Sequence, residues 1–215
     1  MKEFLNNIRK QDNNYSNKKK NINTILILLL GIILGFISKR IDSKTFNNIV
    51  LDYLDLGNFF SNMAIWLFIA LLISIYSKSP KRSSINVFIF FLGMTITYHI
   101  NTIIFNGFNP KNYMMIWYGF TIISPILAYI IWYAKSNNIY SIIINTIIIN
   151  TIIIFIMLIS CFNIGMWYFD TKGILYTITF IMTLFIIYKD IKIISISLII
   201  GLILSFIIRI PFISG

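Results

Sequence analysis

Few residues in this chain have side chains suited to chemistry, and those few gather on one helical stretch. Thr95, His99, Thr102 and Asn106 stand at i, i+4, i+7 and i+11, which puts them on one continuous helical face. His99 is the single histidine of the chain. An imidazole beside two hydroxyls and a carboxamide can serve as a ligand contact or a proton carrier. The helices expected on either side add Asn62, Tyr118, Thr121 and Ser124 at the same depth. These eight residues are the candidate polar pocket. The competing reading is a structural imidazole that hydrogen-bonds neighbouring helices.

Other chemistry is thin. There is no HExxH, no second histidine and no glutamate beyond Glu3, so carboxylate–histidine metal chemistry has no ligand set. Neither GxxxxGK[ST] nor GxSxG occurs. Cys161 is the one cysteine, which excludes an internal disulfide and a cysteine metal cage. Asp52 and Asp55 are i, i+3 neighbours on a short interfacial helix expected over 43–58, where a solvated face is the simpler reading than a cation site. No catalytic, metal or cofactor-binding residue is assigned. An enzyme would need His99 to draw on a loop carboxylate such as Asp52 or Asp170.

The elements that must position these groups are written in hydropathy. Of 215 residues, 58% are hydrophobic and 12% charged, with a mean hydropathy of +0.82. A soluble domain carries about 25% charged residues. The apolar residues fall in runs with no polar face, which water-soluble helices require. The expected fold is all-α, a polytopic transmembrane helix bundle of about seven spans, at 22–38, 59–76, 85–105, 114–134, 139–160, 174–188 and 193–208. The last two are short, and a re-entrant pair there would leave six. Residues 1–21 read as a flexible basic tail preceding one transmembrane domain. Pro125 should kink its span, and Trp132-Tyr133 with Lys135 marks a membrane interface, as does the aromatic run 165–170.

Small residues indicate close helix packing. Gly31 and Gly35 form a GxxxG, and Ser197, Gly201 and Ser205 make a stripe expected to face them. In the Ile/Asn/Thr tract of the fifth span, Ser141 and Asn145 share one face and Thr146 and Asn150 an adjacent one. These are expected to hydrogen-bond across helices.

The net charge of +11 invites a nucleic-acid reading, but its placement does not fit one. Six of the 18 basic residues lie in the first 20 positions, and most of the others flank apolar runs. With the N-terminus inside, inner segments hold twelve Lys and Arg against six outside, which orients the N-terminus to the cytoplasm. The basic turn Lys78, Lys81, Arg82 reads first as an orientation signal. Its other reading is a contact for an acidic cytoplasmic protein or anionic lipid.

The segments Tyr76-Ser-Lys-Ser-Pro-Lys-Arg82, Asn86-Val-Phe with Tyr98-His99, and Ser124-Pro125 with Trp132-Tyr133-Ala-Lys135 are similar to those of uncharacterised multi-pass membrane proteins of low-GC Gram-positive bacteria. The likeness covers about residues 26–135. It implies a bacterial cytoplasmic-membrane location and no particular activity. Size and small-residue packing also resemble the substrate-binding membrane subunits of energy-coupling vitamin transporters. The expectation is a membrane component without a catalytic motif, either a small-solute transport subunit or an accessory protein. The alternatives are an intramembrane enzyme built on His99 and a purely structural membrane protein.

Overall fold

The computed structural model describes residues 9–12, 16–42, 54–135, 140–162 and 173–208, the side chains at 42 and 140–145 excepted. Eight α-helices are described: α1 (Asn17–Asp42), α2 (Leu56–Ser61), α3 (Met63–Tyr76), α4 (Pro80–Asn106), α5 (Lys111–Ile131), α6 (Tyr140–Phe162), α7 (Ile174–Ile187) and α8 (Ile191–Ile207). A 3₁₀ turn, Trp132–Ala134, extends α5. The protein is an all-α bundle. Three segments, Asn17–Ile41, Pro80–Asn106 and Lys111–Ala134, are long and apolar enough to cross a membrane, and four further apolar helices are shorter. In a bilayer no water satisfies backbone groups, so apolar stretches of this length close their hydrogen bonds within the helix.

Three boundaries differ from the sequence expectation, each for a local reason. α1 begins at Asn17, before the apolar run, so part of the expected tail is helical. The basic turn is the first turn of α4: Ser79 caps it, accepting from the Arg82 N–H at 3.3 Å, and Pro80 follows at the position where a missing N–H costs nothing. The expected second span is two helices broken at Asn62, whose backbone is extended. Its Oδ1 accepts the Ala64 N–H at 3.2 Å, while the Trp66 indole donates to the Phe60 carbonyl at 2.9 Å. The break is thereby sealed by side chains.

The chain forms two compact units, and among the described residues the boundary between them falls after Lys10, between α1 and α2, within α3 and after Trp132. In the first, comprising the described residues of 11–45 and 73–132, α1 lies along α4 and α4 along α5. Contacts of α1 with α4 advance together, from Thr24 with Asn86 to Lys39 with Tyr98, so the two helices are parallel. Gly31, Gly35 and Gly93 let their backbones meet. A Cβ at 31 would fall on the Phe90 carbonyl, one at 35 would lie 2.5 Å from the Met94 carbonyl, and one at 93 would lie 3.0 Å from Leu28. In the second unit α6 packs against both α7 and α8. Ser197 donates to the Ile147 carbonyl at 3.3 Å, and a Cβ at Gly201 would sit 2.9 Å from Ile154. Contacts again advance together, so α6 and α8 are also parallel. Each small-residue stripe is therefore filled within its own unit, Gly31/Gly35 by α4 and Ser197/Gly201 by α6. The expected match of stripe to stripe is replaced, because both faces are already occupied.

Candidate functional site

The first unit brings four of the candidate pocket residues together where α4 meets α5. Thr121 Oγ1 donates to the Trp117 carbonyl at 2.8 Å, so its 3.3 Å contact with Thr95 is donated by Thr95. His99 Nε2 lies 2.9 Å from Asn109 Oδ1, which can only accept, so Nε2 carries the hydrogen. In the neutral ring Nδ1 then accepts from the Tyr118 hydroxyl at 2.7 Å. Both partners of the ring are neutral side chains.

The other candidates are placed differently. Thr102 is buried and donates to the Tyr98 carbonyl of its own helix at 2.9 Å. Ser124 is buried beside Pro125 and donates to the Thr121 carbonyl at 2.9 Å. That carbonyl is the one whose ordinary i+4 donor Pro125 lacks, so Ser124 repairs the proline break. Asn106 is exposed at the end of α4. Asn62 belongs to the second unit, where it caps α3. The carboxylates proposed as partners for His99, Asp52 and Asp170, lie outside the described residues. Asp55 is described: it accepts both bonds from Asn58 Nδ2, at 2.8 and 3.0 Å.

Asn109 escaped the sequence reading because it is a loop residue. Gly107, with φ 69° at the α4 C-cap, turns the chain so that Asn109 reaches back to His99.

A second network, also unforeseen, lies at the opposite end of the same unit. The Arg82 guanidinium donates to the Lys20 carbonyl and, at 2.9 Å, to Thr24 Oγ1. Thr24 donates to Asn86 Oδ1 at 2.9 Å, and Asn86 Nδ2 to Ser77 Oγ at 3.3 Å. Ser74 and Ser83 both donate to the Ala128 carbonyl, at 2.9 and 2.8 Å, and Ser84 donates to Pro125 at 2.8 Å. Of the three bases of the expected docking turn, Arg82 is thus turned inward onto α1. Lys78 pairs with Asp12 at 3.4 Å, and Lys81 is exposed.

At the His99 end, Lys39 is buried with its ammonium over the Tyr98 ring, 5.2 Å from the centroid, and Arg40 stands 3.7 Å over Phe105. Aromatic faces let such cations stay at the edge of an apolar layer.

The second unit presents a different kind of polar residue. Asn150, Thr151 and Ser160 on α6 are buried, and Asn150 Nδ2, Asn150 Oδ1, Thr151 Oγ1 and Ser160 Oγ have no hydrogen-bond partner among the described residues. The cross-helix bonding expected of Asn150 is not made. The side chains of Ser141 and Asn145, its expected companions, lie outside the described residues. On α7 the buried Thr179 and Thr183 donate to carbonyls of their own helix, both at 2.8 Å.

No family model matches the chain, and neither the curated proteins nor the solved structures contain a significant match.

Proposed function

We propose that the protein is a non-enzymatic component of a bacterial cytoplasmic membrane, crossing it seven times with its N-terminus cytoplasmic, and that it carries a small solute. The observation that carries the non-enzymatic reading is the setting of His99: Tyr118 on one ring nitrogen and Asn109 on the other make the ring a link between α4, α5 and the loop that joins them, and no carboxylate among the described residues is bonded to it. The likeness to uncharacterised multi-pass proteins of low-GC Gram-positive bacteria supports the location. Charge supports the orientation: in the first unit Lys18, Lys19, Lys20, Lys78, Lys81 and Arg82 stand at one end, and Lys39, Arg40 and Lys111 at the other.

Anionic lipid is the partner we assign to the basic end. Because Arg82 and Lys78 are engaged within the chain, the contact falls to the exposed Lys18, Lys19 and Lys81. Each contributes about 1 kcal/mol near an anionic leaflet.

Osmotic swelling of proteoliposomes, measured with a panel of uncharged solutes, tests the carrier reading. Faster entry of at least one solute than into protein-free vesicles, retained in His99→Phe, is the expected result. Rates equal to those of empty vesicles for every solute would remove the carrier role. Impermeant thiol labelling tests the orientation: Lys111→Cys should react in intact cells and Lys18→Cys only after permeabilisation, both in a Cys161→Ala background.

A further inference from the structure

The buried amide on α6 is the group in this protein that most lacks an explanation. Asn150 is 0% exposed, and neither its donor nor its acceptor is used. A buried polar group without a partner is unfavourable enough that native proteins rarely keep one without a use. Thr151 and Ser160 are less demanding, because a hydroxyl can swing to a carbonyl of its own helix, as Thr179 and Thr183 do. An asparagine can do the same: Asn101 in α4 donates to the Thr97 carbonyl at 2.9 Å. Asn150 does not.

Its surroundings define what would satisfy it. Nothing charged occurs in the sequence of α6 or of α7, and α8, which packs along α6, carries only Lys192, in its first turn. An ion reaching this depth would meet no countercharge, whereas a neutral molecule with hydroxyl or amide groups would find a donor, an acceptor and the adjacent Thr151 hydroxyl.

We infer that Asn150, with Thr151, is the contact point for a small uncharged hydrogen-bonding solute of the polyol or amide type, reached when α6 leaves its present packing. The state described here is the closed one, since no atom of Asn150 meets solvent. The inference rests on the carrier reading and adds to it a site and a class of solute.

The test uses the full-length protein in proteoliposomes with ribitol as the probe. Asn150→Leu keeps the volume and removes both polar atoms. Ribitol entry into wild-type vesicles is expected to exceed that into empty ones, and Asn150→Leu should reduce the excess about tenfold, the factor one well-made hydrogen bond is worth. Its melting temperature should not fall, which separates lost function from lost folding. Unchanged ribitol entry in Asn150→Leu overturns the inference and leaves the carrier reading intact.

A second measurement does not depend on ribitol. In a Cys161→Ala background, Asn150→Cys is expected to react with a water-soluble, membrane-impermeant thiol reagent, while Ile154→Cys, seated on Gly201, is not. Failure of Asn150→Cys to label in intact membranes, or labelling no faster than Ile154→Cys, overturns the inference. If wild-type vesicles admit ribitol no faster than empty ones, carriage of the polyol class fails, whatever the labelling shows.

Discussion

In the first unit α1 and α4 run parallel, with Gly31, Gly35 and Gly93 bringing their backbones together; in the second, α6 and α8 run parallel around Ser197 and Gly201. The geometry is alike, but the polar groups are treated in opposite ways. Around α4, buried and half-buried side chains form chains of hydrogen bonds: Arg82 to Thr24 to Asn86 to Ser77 at one end, and Thr95 to Thr121 and Tyr118 to His99 to the exposed Asn109 at the other. Along α6, buried polar atoms of Asn150, Thr151 and Ser160 make no hydrogen bond among the described residues. A network with every member satisfied rigidifies the helices that carry it. A helix holding unpaired polar groups has a reason to adopt a second arrangement. On the carrier reading, the first unit anchors the protein and the second moves.

The largest effect that would break this comparison is at the glycines. Gly35→Val would drive a side chain into the Met94 backbone and should cost about 3 kcal/mol or more, seen as a large fall in melting temperature in detergent. Gly119→Ala is the control. A Cβ there meets nothing within 4 Å, so it should change stability by no more than about 1 kcal/mol, in the favourable direction. Equal losses at both positions would mean that the α1–α4 contact is not the tight one.

Ser83→Ala comes next, at about 1 kcal/mol, because it removes one of the two donors at the Ala128 carbonyl. The double variant Ser74→Ala/Ser83→Ala should lose less than twice that, a coupling read from a double-mutant cycle. His99→Phe is the smallest, at about 0.5 kcal/mol, since His99 is half-buried and water can replace its bond to Asn109. A loss several times larger would give His99 a structural weight that the first unit does not require of it.

Membrane character and the existence of most helices were legible in the sequence, because hydropathy reports directly on long apolar runs. Local capping signals were also present: Ser79-Pro80 is a helix start, and Asn62 before an apolar run is an N-cap, although the surrounding hydrophobicity concealed the break it makes. Partner choice was not legible. A GxxxG says that a backbone can approach closely but not which one, so Gly31 and Gly35 met α4 instead of the Ser197 stripe. From its spacing alone the polar stripe on α4 fits a face open to a ligand and a structural role equally. In the structure Thr95, His99 and Thr102 are bonded, two of them through groups that periodicity cannot supply: His99 to the loop residue Asn109 and Thr102 to the Tyr98 carbonyl. Asn150 was assigned to cross-helix bonding for the same reason, since a face can be read from spacing and a partner cannot.

Two buried asparagines therefore provide the most direct test. Asn86 is bonded to Thr24 and Ser77, while Asn150 is bonded to none of the described residues. Replacing each by leucine and measuring thermal unfolding of the full-length protein in one detergent should give effects of opposite sign. Asn86→Leu should lose about 2 kcal/mol, and Asn150→Leu should gain about 1 kcal/mol. If both variants lose stability to the same extent, Asn150 is as well supported as Asn86, and the division into an anchoring unit and a moving one is wrong.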